Sequence, residues 1–396
     1  MAEMSVDFCG LRFKNPIIVS SIEPTNSVER LKKCLDAGAA GAIVKTLTDI
    51  PSMATLTKHS KYAILNETGE VIKGKVPRNY VFYSRSGYSS TMYQDWAPYL
   101  KEAQAYAEKK GAHIMASVGA QSLDTWASIS KMAEDCGVKM VELNLGCPHT
   151  TQMRGIETGV LIGQVPELAA QVVERVVESV KIPVMVKLTP EADNLTEVAR
   201  SVKKAGAKAV TVNSRFTGFA VNIETGAPYI GGPAGVGGPW IKYVTLRWVH
   251  EIYSKLGMPI AGSNGIFDWR DAIAFVMSGA RIMQVGSVLM LKGYDWLDKM
   301  IQEIESFLDE HGYKDIQSIY GMASKKAVKT YNDKSQMKGI CAVIDEEKCT
   351  RCWNCVQSCF YDALSKGDDE VIIQPENCIG CELCFNVCPF DAVSFT

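Results

Sequence analysis

The stretch PIIVSSIEPT, residues 16–25, decides the fold. It is a short apolar run of strand type that passes straight into serines and the start of a helical pattern. A doubly wound open sheet would carry a GxGxxG turn at this first strand–helix junction, and none is present. Working outward, seven more strands are expected at residues 40–46, 113–118, 141–145, 184–188, 209–213, 258–262 and 282–285, with 16–21 the first. Amphipathic segments lie between most of them, at 27–35, 123–135, 166–180, 195–204, 269–277 and 297–308. Their apolar residues recur at three and four, and Gly38, Gly137, Gly206 and Gly279 stop several of them. Eight β–α units with apolar, largely non-alternating strands read as α/β, a closed (β/α)8 barrel with its helices outside.

Two stretches break this rhythm. Residues 48–91 are too long for a simple βα loop, and residues 215–239 hold seven glycines without periodicity. Both follow strands, so both belong to the C-terminal face, where barrel active sites sit, as irregular lids or binding loops. The barrel is expected over 1–320, a polar linker over 321–340, and a small α+β domain over 341–396.

That last domain is an internal repeat. VIDEEKCTRCWNCVQSCFYDALS (343–365) and IIQPENCIGCELCFNVCPFDAVS (372–394) align without gaps at an offset of 29. Each half reads C-x2-C-x2-C-x3-C, the two-cluster ferredoxin pattern, in which the fourth cysteine of each run ligates the other cluster. The ligand sets expected are Cys349, Cys352, Cys355 with Cys388, and Cys378, Cys381, Cys384 with Cys359. Soft thiolates in this crossed arrangement suit two [4Fe-4S] clusters. A pair of zinc sites would instead keep two cysteine pairs apart. Phe360 stands where a proline usually follows the fourth cysteine; Pro389 conforms. No cysteine of the eight is spare, so the clusters carry electrons and do no chemistry on a substrate. Cys9, Cys34, Cys136 and Cys341 stand alone and read as buried thiols.

Composition narrows the function. The 396 residues are 47% hydrophobic and carry a net charge of −2, which gives no reason to expect nucleic-acid binding. No apolar run approaches a membrane span. The acidic start MAEMSVDFCG lacks a secretory h-region, so a cytoplasmic protein is expected.

At the strand ends, Cys147 stands past the fourth strand in ELNLGCPH, beside His149. Lys45 and Lys187 end strands two and five, where an ammonium in an apolar run needs an anionic partner such as a cofactor. Gly262–Gly265 and Gly286–Ser287 end strands seven and eight, where barrels often cradle a phosphate. With a neighbouring redox domain, these features imply FMN. The lack of a dinucleotide fingerprint argues against NAD or FAD on this chain.

The motifs FKNP–SSIEPT, VKT, ELNLGCPH, VKLTP, VTVNS, GSNGI and MQVGS follow one another in the order found in the dihydroorotate dehydrogenase superfamily, which the chain resembles over essentially its whole length. With its ferredoxin-like tail it is most similar to the FMN/iron–sulfur subunits of bacterial NAD-dependent dihydropyrimidine dehydrogenases. CPH in place of CPN favours that branch, as does RNYVFYSRSGY (78–88) in place of the NxMGLPN loop. The resemblance implies that Ser20, Ser21, Lys45, Thr46, Lys187, Gly238, Ser263, Asn264, Gly265, Gly286 and Ser287 hold FMN. It implies that Asn79, Asn144, Asn213 and Ser214 bind substrate, and that Cys147, His149 and Lys187 are catalytic. Departures from the pattern are Val81 for a glutamate, Glu23 for a small residue and Ser214 for threonine.

The activity implied is reduction of an activated C=C bond in a small planar ring, uracil or thymine to the 5,6-dihydropyrimidine. Electrons pass from the clusters to FMN, hydride leaves from flavin N5, and the proton comes from Cys147. The electron donor expected is an NAD(P)H-oxidising flavoprotein subunit or a ferredoxin, within a homo- or hetero-oligomer. The alternatives are a dihydroorotate-type dehydrogenase, a reductase of another cyclic ene or enamide, and a non-catalytic flavin relay. A relay would need neither Cys147 nor three substrate-side asparagines.

Overall fold

The computed structural model describes residues 2–152, 155, 158–327 and 340–396. Contacts divide the chain into two compact units, residues 1–326 and 327–396. Most of the expected linker, 328–339, lies outside the described residues; ahead of it Met322–Lys326 forms a short helix.

The first unit is a closed barrel of eight parallel strands, β1 (Ile17–Val19), β2 (Gly41–Leu47), β3 (His113–Val118), β4 (Val141–Asn144), β5 (Val184–Lys187), β6 (Ala209–Val212), β7 (Ile260–Ser263) and β8 (Ile282–Val285). Neighbours in sequence are neighbours in the barrel, and β8 pairs with β1 in the register Gln284–Ile18. Every residue of β1 and β2 is buried, the signature of strands covered on both faces. Eight helices alternate with the strands outside: α1 (Val28–Asp36), α2 (Ala97–Lys109), α3 (Leu123–Asp135), α4 (Pro166–Val177), α5 (Leu195–Lys204), α6 (Lys242–Leu256), α7 (Trp269–Ser278) and α8 (Asp295–Glu310). Local chemistry sets their ends. Ser27, Ser122, Asn194 and Asp268 cap the N-termini of α1, α3, α5 and α7 with side-chain oxygens. Gly257 and Gly279 close α6 and α7 in the left-handed conformation.

Five of the eight expected strands are longer than those formed, by one to three residues in all, and the other three match in length. Ser20, its N–H still bonded to the Val285 carbonyl, and Ser21 follow the end of β1 and line the cavity described below.

The two long connections are not irregular. Lys61–Leu65 and Val81–Arg85, from the first, pair with Ala234–Gly237 and Phe216–Gly218, from the second, in one four-stranded antiparallel sheet. Tyr83 lies opposite Val236, a partner about 150 residues away, so no local periodicity could announce it. This sheet roofs the C-terminal end of the barrel, since Tyr62, Phe82, Ser84 and Gly237 line the cavity there.

The second unit consists of two short antiparallel pairs, Ala342–Ile344 with Val393–Phe395 and Leu364–Lys366 with Val371–Ile373, and two one-turn helices. The repeat is visible in the backbone. Arg351, Trp353 and Asp362 have positive φ, and so do Gly380, Glu382 and Asp391, each 29 residues on. Among the described residues no helix is long and apolar enough to cross a membrane.

Cys34 and Cys136 are buried, as expected. Cys9 and Cys341 are only half-buried: Cys9 sits at positive φ in the tight turn between Val6–Phe8 and Leu11–Phe13, which leaves its side chain at the edge of the core.

Candidate active site and cluster sites

A cavity of about 1040 Å³ lies between the C-terminal ends of the barrel strands and the roof sheet. Its floor is a polar network at the centre of the barrel. Glu142, fully buried on β4, accepts hydrogen bonds from Thr211 (2.7 Å) and Gln284 (2.5 Å). Lys187 Nζ donates to Ser20 Oγ (3.0 Å) and Gln284 Oε1 (3.1 Å), with Glu142 3.6 Å away. Burial pulls the Lys187 ammonium below the ordinary lysine range, and the Glu142 charge opposes that pull.

On one side, Thr46 Oγ1 is shared among Ser21 (3.3 Å), Ser117 (3.0 Å) and the Asn144 amide (3.0 Å). Lys45 Nζ reaches Glu23 at 2.9 Å and Ser86 at 3.3 Å. Burial alone would raise the Glu23 carboxyl. The Lys45 charge and hydrogen bonds from Ser86, Lys45 and Tyr62 outweigh it and hold the group at about 2. Both strand-end lysines therefore have carboxylate partners within the protein, contrary to the expectation that a cofactor must supply them. Glu142, in ELNLGCPH, and Glu23, in SSIEPT, both stand in the quoted motifs, but the sequence alone does not place either beside a lysine. The pairing between β4 and β5, which sets Asn144 opposite Lys187, is what brings Glu142 beside that lysine.

Cys147 lies on the cavity wall, 8% exposed, packed with Ile50, Met53 and Tyr88. Its loop is pinned by Thr150 Oγ1 and the Val160 N–H, which both donate to the Cys147 carbonyl. Burial raises the thiol, while the His149 N–H, Arg215 and the Tyr88 hydroxyl pull it back. His149 does not line the cavity; it is buried behind the loop, with Nδ1 unpartnered and Nε2 3.5 Å from the Ser86 N–H. Burial, reinforced by Arg215, Lys45 and Arg85, depresses its pKa to about 3. His149, expected among the catalytic residues beside Cys147, is instead buried away from the cavity with its ring held neutral.

Asn144, Asn213 and Ser214 do face the cavity. Asn213 is fully buried with its Nδ2 lacking a protein partner, and Ser214 Oγ donates to the Gly146 carbonyl at 2.6 Å. Asn79 does not join them. It is exposed ahead of the roof strand, beside the buried Tyr80. Ser20, Ser21, Lys45, Thr46, Lys187, Ser263, Asn264, Gly265, Gly286 and Ser287 all line the cavity; Gly238 does not, and its neighbour Gly237 does. Gly238 answers to packing: at φ 138°, a Cβ there would sit 2.4 Å from the Tyr80 carbonyl oxygen. Residues that sequence reasoning missed are Tyr62, Ser84, Ser86, Tyr88, Arg215 and Gln284. Tyr62 and Ser84 lie in roof strands and Ser86, Tyr88 and Arg215 in the segments that adjoin them, none of which carries a local signal.

The residues fit FMN. A partner-free buried amide, the strand-end lysines and backbone at the ends of β7 and β8 line the cavity where the ring and phosphate would lie.

In the second unit the cysteines gather as the crossed spacing requires. Cys349, Cys352, Cys355 and Cys388 line one cavity of about 330 Å³. Cys359, Cys378, Cys381 and Cys384 line another of the same size. Each space gathers four cysteines in the crossed sets that a pair of cubanes requires.

Comparison with known proteins agrees with this geometry. The dihydroorotate dehydrogenase family model matches residues 3–308, and a 4Fe-4S dicluster domain matches 342–395. The catalytic subunit of dihydroorotate dehydrogenase B (NAD(+)) from Methanothermobacter thermautotrophicus is 30% identical over 325 residues, covering 82% of this chain and 98% of that protein. The NAD-dependent dihydropyrimidine dehydrogenase subunit PreA of Escherichia coli K12 is 26% identical over 373 residues, covering 90% of this chain and 85% of that protein. The chain therefore belongs to the dihydroorotate dehydrogenase family and is an oxidoreductase acting on CH–CH bonds, with FMN and two [4Fe-4S] clusters as its cofactors.

Proposed function

We propose that this chain reduces an activated C=C bond in a small planar ring of the pyrimidine class, in the direction uracil or thymine to dihydropyrimidine. The observation that carries the reading is Cys147, a thiol whose pKa burial raises, on the wall of a cavity that Asn144, Asn213 and Ser214 also face. FMN, when bound, supplies the hydride. Ser20, Ser21, Lys45, Thr46, Lys187, Ser263, Asn264, Gly265, Gly286 and Ser287 are the residues that would hold it. Lys187, fixed by Ser20 and Gln284, would supply positive charge toward the flavin when it is bound, an electrostatic preorganisation. The asparagines and Ser214 orient the substrate, and Cys147 delivers the proton.

A second reading, oxidation of a dihydroorotate-type substrate with Cys147 as base, is favoured by the 30% identical relative. The raised thiol speaks against it, because a base must first lose its proton. Electrons enter through the clusters from a separate flavoprotein subunit or a ferredoxin, and the chain works in the cytoplasm as part of an oligomer.

The test is anaerobic photoreduction of the flavin, then reoxidation by uracil, thymine, orotate and other cyclic enones or enamides. Reoxidation by uracil or thymine is expected, and rapid reoxidation by orotate alone would overturn this reading in favour of the second. Failure of every pyrimidine alongside rapid reoxidation by another ring would overturn the substrate class.

A further inference from the structure

The two cluster cavities are built from equivalent positions of one repeat, so the places where they differ are departures from its symmetry. Both are walled mainly by cysteines and apolar side chains. Apart from the cysteines, one charged side chain stands among the described residues that line them: Glu382, in the cavity of Cys359, Cys378, Cys381 and Cys384. Twenty-nine residues earlier the same place is taken by Trp353, in the cavity of Cys349, Cys352, Cys355 and Cys388. The backbone does not distinguish the two. Its φ is 65° at Trp353 and 60° at Glu382, and each residue opens a one-turn helix between the second and third cysteines of its run. Their surroundings differ in the same sense as their side chains. Lys366 Nζ lies 5.3 Å from the centre of the Trp353 ring, whereas the residue equivalent to Lys366 is Phe395. From residue 367 to residue 396 the chain has no lysine or arginine. Lys348 and Arg351, the other cations of the unit's first half, are each paired with an aspartate at 3.1 Å. Hydrogen bonding does not separate the two sets. Backbone N–H groups reach sulfur in both, from Ala392 to Cys388 at 3.4 Å and from Ala342 and Gly380 to Cys378.

We propose that Glu382 makes the cluster held by Cys359, Cys378, Cys381 and Cys384 the harder of the two to reduce, so that the first electron taken up by this unit settles on the cluster of Cys349, Cys352, Cys355 and Cys388. Reduction adds one negative charge to iron already surrounded by four thiolates. The net charge around a cluster is one of the means by which a protein sets its potential. A carboxylate at the cavity wall opposes the added charge; an indole with an ammonium over it does not. Glu382 is exposed, so water and salt screen its field and the expected effect is modest. This ordering of the clusters does not depend on which ring is the substrate.

Full-length, flavin-loaded protein is reduced stepwise without oxygen, by photoreduction with a deazaflavin in the presence of redox mediators. The cluster signals are followed by electron paramagnetic resonance, which separates them from the flavin. About eight iron per chain is the control that both clusters are loaded. Two one-electron cluster steps of different potential are expected. Glu382→Gln should make the lower-potential step easier by about threefold in its equilibrium constant, and Glu382→Lys by about tenfold, or 59 mV for one electron. The higher-potential step should move less than half as far. Trp353→Glu should make the higher-potential step about threefold harder, at a backbone position where the other half of the repeat already carries glutamate. Flavin content and melting temperature should be unchanged in the Glu382 variants. An equal or larger movement of the higher-potential step in those variants overturns the proposal. So do two Glu382 variants that move neither step, or two steps that coincide in the unmodified protein.

Discussion

The two units hold their cofactors by opposite means. In the cluster unit, eight ligands come from two runs of eleven residues, and the spacing alone sorts them into two cavities. In the barrel unit, the cavity draws on the ends of nearly all the strands and on a roof paired across about 150 residues. A site written in spacing concentrates its risk in single residues. A site assembled from distant elements shares the load among many, and there the few unshared groups stand out.

The largest effect expected follows from that contrast. Cys388→Ala removes a ligand from the cavity of Cys349, Cys352 and Cys355, although it lies in the other run. Iron content should fall from about eight to about four per chain, with the flavin retained. Loss of the cluster bound by Cys378, Cys381 and Cys384 instead would show that the ligation is not crossed.

Cys147→Ala comes next. Turnover should drop about 10²–10⁴-fold, the contribution of a positioned proton donor, with flavin binding and its reduction through the clusters intact. Near-normal reoxidation by substrate in stopped flow would reduce Cys147 to a packing residue.

A third prediction concerns acid. The folded-state pKa of His149 lies below its unfolded value, so the stability it contributes is present above about 6.5 and is lost as pH falls toward 3. By pH 5 that loss should be about 2 kcal/mol. The Glu23 carboxyl, also depressed, adds a loss that begins near 4.5 and runs down to about 2. His149→Gln should flatten the melting-temperature profile from about pH 6.5 down toward 3, leaving below 4.5 the loss that belongs to Glu23. Parallel profiles for the two proteins would mean that the histidine is not buried neutral.

The smallest effect is expected at Asn79. Exposed and outside the cavity, Asn79→Ala should change KM less than about twofold, as surface substitutions usually do. A tenfold rise would mean that the loop folds inward over substrate.

What was legible in the sequence divides along the same line. The barrel could be read because each strand–helix unit carries its own period and caps, from Ser27 at the start of α1 to Gly279 at the end of α7. The cluster ligands could be read because four cysteines at fixed spacing can do little else. The roof could not, since Val81–Arg85 and Ala234–Gly237 are short and become strands only in each other's company. Arg215 was hidden for the same reason. Gly238 illustrates the converse error: a glycine in a glycine-rich loop was given to the cofactor, and its freedom is spent passing the Tyr80 carbonyl.

The roof sheet also bears on how the protein is made. Val81–Arg85 lies between Lys61–Leu65 and Ala234–Gly237, so one of its edges stays open during synthesis until the chain has grown past residue 237. Over that interval the nascent protein presents an unpaired strand edge bearing Phe82 and Tyr83, both buried in the finished fold. Fragments truncated between β2 and β6 should therefore aggregate even where their barrel strands are intact, and full-length protein should depend on chaperones during that window of translation.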